Sequence, residues 1–208
     1  MRPKWRGKLH KYAAFATIPL GIWLFFWTQG IETRLAVFIY ALSLHGVFAV
    51  SSSYHRLTKT IGSQTFMRKL DHSMIYVMIA GTYTPICMIA LRDHGGISYM
   101  IVVWTASAVG VMLTVLNRMY KTAMGLYIAI GWIAVLLVPH IHNVVGMWPV
   151  GLYVAGGIVY TVGAILFFLK RPKLSPDNFG YHELWHVNTV IAATLHFIAT
   201  VLVINQMT

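Results

Sequence analysis

Residues 70–91 read LDHSMIYVMIAGTYTPICMIAL, an Asp–His pair followed by an apolar run. The run is long enough to cross a bilayer, which takes roughly 20 residues. Six further stretches of similar length and composition flank it. The sequence therefore predicts seven transmembrane helices at approximately 9–29, 34–55, 70–91, 97–116, 122–140, 148–169 and 183–206. Because the connections are short, we expect a single all-α, seven-transmembrane helix domain over residues 1–208.

Composition supports a lipid environment for most of the chain. Of its 208 residues, 58% are hydrophobic and only 10% are charged, whereas a soluble domain carries about 25% charged residues. The net charge of +11 comes from short Lys and Arg clusters between the apolar runs. That distribution fits anionic phospholipid headgroups better than nucleic acid. We expect membrane lipids as partners and no nucleic acid, and the sequence leaves a homo-oligomer open.

The basic residues also predict the orientation of the chain. All Lys and Arg residues except Arg34 and Arg92 fall on one side of the predicted bundle. Since basic connections stay in the cytoplasm, we expect a cytoplasmic N-terminus, an external C-terminus and a multi-pass protein of the cell membrane, the inner membrane of a bacterium. The residues on the basic side are Arg2, Lys4, Arg6, Lys8, Lys11, Arg56, Lys59, Arg68, Lys69, Arg118, Lys121, Lys170, Arg171 and Lys173.

The last apolar stretch opens with YHELWH, residues 181–186, which contains the HExxH pattern of zinc proteases. His182 and His186 are one helical turn apart, so both can reach one ion. The pattern would make Glu183 the general base. However, Glu183 projects about 100° away from His182 around the helix. We interpret it as a residue of the cytoplasmic interface that complements the N-terminal end of its helix.

Three predicted helices bring ionisable residues to one membrane depth. His55 ends the second helix, Asp71 and His72 open the third, and His182 and His186 open the seventh. Ionisable residues at such depth are functional candidates. A catalytic zinc site needs three protein ligands and an open position, so His55 is the natural third ligand.

Two polar residues are expected to support these ligands. Asp71 suits a place beside them, where its carboxylate accepts a hydrogen bond from water or from a histidine N–H. Ser51 lies one turn before His55 and can add a further hydrogen bond.

The other histidines have simpler interpretations. His45 and His196 are expected to be buried and hydrogen-bonded to a neighbouring helix, and His10 is expected to serve the membrane interface. The three remaining histidines are expected in solvated loops: His94, His140 and His142.

The segments SSSYHRL (51–57), KLDHSMIYVMIAGTYTP (69–85) and HELWHVNTVIAATLHF (182–197) together resemble the hemolysin III group of bacterial membrane proteins. That group belongs to the progestin and adipoQ receptor family, which includes the adiponectin receptors. The resemblance implies seven helices and Zn²⁺ held by His55, His182 and His186, with Asp71 and Ser51 beside it. Relatives in the wider superfamily look like lipid amide hydrolases of the ceramidase type.

The N-terminal segment departs from the family pattern. Many hemolysin III sequences begin with an acidic, Asn-containing segment before a His, whereas this chain reads KWRGKLHKYA, with Arg6 and Gly7 at the expected acidic or amide positions. The departure places the chain in a variant subgroup.

The leading functional hypothesis is a zinc-dependent membrane hydrolase of a lipid amide or ester bond, with Asp71 as the proton acceptor and a role in membrane lipid homeostasis or haemolysis. The alternative is a receptor or regulator of membrane state in which zinc is structural and Asp71 or His72 supplies a fourth ligand. An intramembrane protease and a transporter fit the sequence less well. Three residues would line an acyl channel or, in the simpler interpretation, pack between helices: Tyr76, Thr82 and Thr84.

Overall fold

The computed structural model describes residues 3–116, 120–175 and 177–207, without the side chains of 120–124. Arg2, Arg118, Thr208 and the Lys121 side chain lie outside this description. Seven of the described segments are long and apolar enough to cross a membrane. This confirms the predicted all-α, seven-helix membrane bundle, while its orientation stays a prediction. The helices are α1 (Lys8–Trp27), α2 (Ile31–Leu57), α3 (Ile61–Pro85), α4 (Gly96–Val115), α5 (Tyr120–Trp132), α6 (Ala134–Val145), α7 (Met147–Phe168) and α8 (Tyr181–Met207).

The helices pack against one another largely in chain order, and the contact between α1 and α8 closes the bundle. Helix α1 contacts α2 and α8, α2 contacts α3, α3 contacts α4, and α7 contacts α8. Helix α3, the most buried span, is approached closely at two glycines. A Cβ at Gly81 would lie 2.4 Å from Ser43 Oγ, and one at Gly110 would lie 2.3 Å from the Tyr76 ring. Small residues of this kind let membrane helices approach each other.

Helix α3 is longer than predicted. It begins at Ile61 instead of residue 70, and after Pro85 it continues into a π-helical turn at Ile86–Ala90. Thr60 Oγ1 accepts from Ser63 N and Ser63 Oγ accepts from Thr60 N, both at 3.2 Å, so a capping box starts the helix. The helical span has 30 residues and is about 45 Å long. Its first turns therefore extend beyond the apolar run. Asp71 therefore lies about three turns inside α3, and the expectation that it opens the helix is wrong.

The predicted helix at 122–140 is interrupted and extends further. Helix α5 ends at Trp132 and α6 runs from Ala134 to Val145, and together they supply one candidate span, Gly125–Val145. The break changes the backbone bonding: Ile130 O accepts from Ile133 N at 3.3 Å, one residue closer than in an α-helix. Tyr83 Oη lies 3.1 Å from Ile130 O and 2.8 Å from Gly131 O, so one hydroxyl serves both acceptors. This contact stabilises an interruption that would otherwise be costly in an apolar environment.

Several polar residues for which the sequence allowed more than one role pack between helices. His45 Nδ1 lies 3.2 Å from Ala14 O, and His196 Nε2 lies 3.1 Å from Tyr153 O, which confirms the expected hydrogen bonds to neighbouring helices. Thr82 donates to Met78 O within its own helix. Thr84 donates to Ala80 O and accepts from the Trp104 indole at 3.1 Å, as expected for packing residues.

Candidate metal centre

Three histidines from two helices meet at one end of the bundle. His55 comes from the last turn of α2, and His182 and His186 come from the first two turns of α8. Each ring offers a nitrogen, and the three nitrogens lie within 4.8 Å of one another. His55 Nε2 and His182 Nε2 are 3.2 Å apart, although 127 positions separate these residues. The structure therefore brings together the three predicted ligands.

The environment of His186 fits a metal ligand. The residue is 3% exposed, and neither Nδ1 nor Nε2 has a hydrogen-bond partner among the described residues. A buried polar atom without a partner costs about 1–3 kcal/mol, which a coordinate bond would offset. Three neutral imidazoles form a donor set that suits Zn²⁺ and other first-row transition ions. The residues present therefore fit the metal that the resemblance implies.

Asp71 and Ser51 form a pair beside this cluster. The Ser51 hydroxyl is buried one turn before His55 on α2, and a side-chain hydrogen bond joins it to Asp71 of α3. This bond places the Asp71 carboxylate near the α2 end of the centre. Their predicted catalytic roles stay predictions.

His72 is separated from Asp71 by the helix geometry. Neighbouring helical residues project about 100° apart. The backbone carbonyl of His72 accepts from the Tyr127 hydroxyl at 3.5 Å.

Glu183, the carboxylate of the HExxH pattern, has two partners in the structure. Its Oε1 forms an ion pair with the Arg6 guanidinium, and its Oε2 accepts from Gly180 N at 2.8 Å. The second contact is half of a capping box at the start of α8. With 1% exposure and both oxygens engaged, Glu183 is held as a structural anchor. This favours the interpretation as a residue at the N-terminal end of its helix over a general base, whereas the expected interface position is wrong because the side chain is buried.

The segment before α1 folds back over the candidate centre. Lys4 N donates to Asp177 O at 3.1 Å and Trp5 N donates to Asn178 O at 3.3 Å, which fixes the segment to the connection before α8. Gly7 then adopts a left-handed conformation with φ 72°. A Cβ at Gly7 would lie 2.8 Å from His55 Cβ. Only glycine permits this approach without strain.

His10 is a further histidine at this end of the bundle, in contact with His186. Its ring centroid lies 3.9 Å from that of His186, and its Nε2 lies 2.8 Å from Thr189 Oγ1. It is 4% exposed, so the expected interface role is wrong. Both His10 and Arg6 were missed as parts of the site. The available signal was depth, since His10 follows a basic tail that is predicted on the same side of the bundle as His55 and His186.

Sequence comparisons bear on these observations directly. The sequence matches the family described as Haemolysin-III related over residues 1–197. It is 30% identical over 193 residues to Hemolysin-3 of Bacillus cereus, covering 90% of this chain and 85% of that protein. It is 27% identical over 150 residues to Hemolysin-3 homolog of Bacillus subtilis (strain 168), covering 71% and 67%. With its seven apolar helices, the chain is a multi-pass membrane protein that belongs to the haemolysin-III-related family.

Proposed function

We propose that this protein is a zinc-dependent hydrolase that cleaves an amide or ester bond in a membrane lipid. The observation that carries the proposal is the convergence of His55, His182 and His186, with both nitrogens of His186 buried and free of protein partners among the described residues. The Asp71–Ser51 pair beside them supplies the carboxylate that hydrolysis requires. A zinc site at one end of a membrane bundle suits a lipid substrate, in the inner membrane of a bacterial cell.

Each side chain of the site has a separate role in the proposed reaction. When bound, zinc polarises a carbonyl oxygen and makes water more acidic. Asp71 accepts the proton of the attacking water and passes it to the leaving nitrogen or oxygen. Ser51 donates to Asp71 and holds the carboxylate in place for both transfers. The three histidines bind as neutral imidazoles, so activity should fall when acid protonates them.

A second candidate function follows from the segment before α1, which covers the candidate metal centre. The segment that carries Arg6, Gly7 and His10 contacts the histidines and α8, which also suits a structural zinc in a receptor or regulator of membrane state. In that case a fourth protein ligand, Asp71 or His72, would complete the coordination. X-ray absorption spectroscopy of the purified protein separates the two functions. Three histidines with a water ligand support the hydrolase, and four protein ligands support the regulator.

The first experiment is elemental analysis of the purified protein. We expect about one zinc per chain in the wild type and loss of zinc in His55→Ala and His186→Ala. The matched control is His94→Ala, since His94 is exposed in the loop before α4. Full zinc retention in both ligand variants would refute the metal site. A lipid-release assay then compares the wild type with Asp71→Asn, which should keep zinc and lose turnover.

A further inference from the structure

A groove runs along the outside of the bundle between α1 and α2. It encloses about 370 Å³, and α1 contributes Lys11, Phe15 and Ile18 to its wall. Helix α2 contributes His45 and Arg56 to the opposite wall of the groove. None of the three candidate zinc ligands lines the groove, so it is distinct from the candidate metal centre.

The groove has a charged end at Lys11 and Arg56, while Phe15 and Ile18 form an apolar wall towards the other end, where His45 also lies. The two helices are antiparallel, since a Cβ on Gly7 would lie 3.1 Å from Arg56 Cγ while His45 contacts Ala14 O. Arg56 therefore lies at the Lys11 end, and His45 lies at the Ile18 end. From Lys11 to Ile18 the helix rises about 10 Å. This length is comparable to a segment of a lipid acyl chain.

The two cations at the charged end have no acidic counterpart. Among the described residues, neither Lys11 nor Arg56 forms an ion pair, and no Asp or Glu lines the groove. Lys11 Nζ lies 5.9 Å from the centre of the Phe15 ring, at the start of the apolar wall. Ser52 and Ser53 line the same groove. An anion that occupies this end must come from outside the described chain.

The walls of the groove face the lipid phase. Phe15 is 63% exposed and Leu57 is 70% exposed, and both lie on transmembrane helices. A partner for this surface needs an apolar chain and an anionic head at one end. An anionic phospholipid has both, and basic residues near a membrane surface attract such headgroups.

We propose that this groove binds one anionic glycerophospholipid. The phosphate lies between Lys11 and Arg56 and accepts hydrogen bonds from a serine hydroxyl, and one acyl chain follows Phe15 and Ile18. The site is independent of the proposed zinc chemistry.

Native mass spectrometry of the detergent-purified protein tests the proposal. The protein is titrated with dioleoylphosphatidylglycerol and, separately, with the zwitterionic dioleoylphosphatidylcholine. We expect the wild type to bind one phosphatidylglycerol more tightly than phosphatidylcholine. In K11Q/R56Q the affinity for phosphatidylglycerol should fall by about 25-fold, because each cation near a lipid headgroup contributes about fivefold. Ala49→Trp, which fills the groove and leaves both cations in place, should reduce binding of that lipid as well.

The matched control removes an equal charge outside the groove. Arg171 and Lys173 are exposed on the connection between α7 and α8, and R171Q/K173Q should bind like the wild type. The exchange K11R/R56K should restore the affinity lost in K11Q/R56Q, which separates lost charge from lost folding. An equal loss in both double variants, or unchanged binding in K11Q/R56Q, would overturn the proposal. A groove-filling variant with wild-type affinity would overturn it as well.

Discussion

His10 restricts the movement of the candidate ligand His186. Its ring lies on that of His186 and 5.0 Å from the Phe48 ring, and Thr189 holds its Nε2. Residues that orient a metal ligand typically contribute 10–100-fold to metal affinity. His10 is therefore interpreted as a positioning residue, since it lies outside the group of three nitrogens.

Replacing His10 by phenylalanine should weaken metal binding without unfolding the protein. His10→Phe keeps a ring against His186 and removes the bond to Thr189, so we expect zinc to dissociate about tenfold more readily. Competition with a chromophoric chelator measures this affinity. The control is His45→Phe, which changes a hydrogen-bonded histidine of the α1–α2 contact away from the cluster. Equal affinities in the wild type and His10→Phe would exclude the positioning role.

The Arg6–Glu183 pair should contribute to stability asymmetrically. Glu183 is buried whereas Arg6 is 24% exposed, so Arg6→Gln leaves a buried charge and Glu183→Gln leaves a cation that can reach water. We expect Arg6→Gln to cost about 1–3 kcal/mol, below the range for fully buried pairs, and Glu183→Gln to cost less. Thermal unfolding in detergent of both single variants and the double variant measures this difference. If both single variants lost the same stability and the two losses added in the double variant, the interaction between Arg6 and Glu183 would contribute nothing to stability.

At the scale of helices, the apolar runs reveal the spans but not their irregularities. Hydropathy located all seven spans, because each crossing needs a long apolar segment. It missed the first turns of α3, where residues 61–69, a mixture of polar and apolar side chains, form a helix started by the Thr60 cap. It also missed the break near Ile133, because the hydroxyl that donates to the carbonyls there comes from Tyr83 on another helix. Contacts between distant segments leave no periodic signal in one sequence.

Removing the Tyr83 hydroxyl should destabilise the broken span. Tyr83→Phe removes the donor to Gly131 O, while Ile130 O keeps its bond from Ile133 N at 3.3 Å. An acceptor without a partner in an apolar environment costs about 1–3 kcal/mol. The matched control is Tyr153→Phe, because Thr200 keeps its own bond to His196 O at 2.9 Å when the Tyr153 hydroxyl is lost. Thermal unfolding should give a larger decrease in Tm for Tyr83→Phe. The reverse order would contradict this account of the break.

At the scale of the whole molecule, the candidate site depends on how the ends of helices meet. The end of α2 and the start of α8 lie at one level, which is why His55, His182 and His186 could be predicted from their distance to the ends of apolar runs. Asp71 marks the start of an apolar run but lies about three turns inside α3. The segment before α1 has no apolar pattern. Its course depends on backbone bonds to Asp177 and Asn178, which the sequence does not reveal. Thus the candidate ligands were predictable and the residues that cover them were not.

A metal held by His55, His182 and His186 joins α2 to α8, so its removal should lower the stability of the whole bundle. A ligand that binds only the folded state adds about 2.7 kcal/mol at a free concentration one hundred times its dissociation constant. We expect a chelator to lower the Tm of the zinc-loaded wild type and to leave that of His186→Ala unchanged. Since histidine binds a metal in its neutral form, protons compete with zinc and the stabilisation should shrink as the pH falls. His94→Ala should behave like the wild type in both series. If neither the chelator nor a change in pH altered the Tm of the zinc-loaded wild type, the metal would not connect these helices.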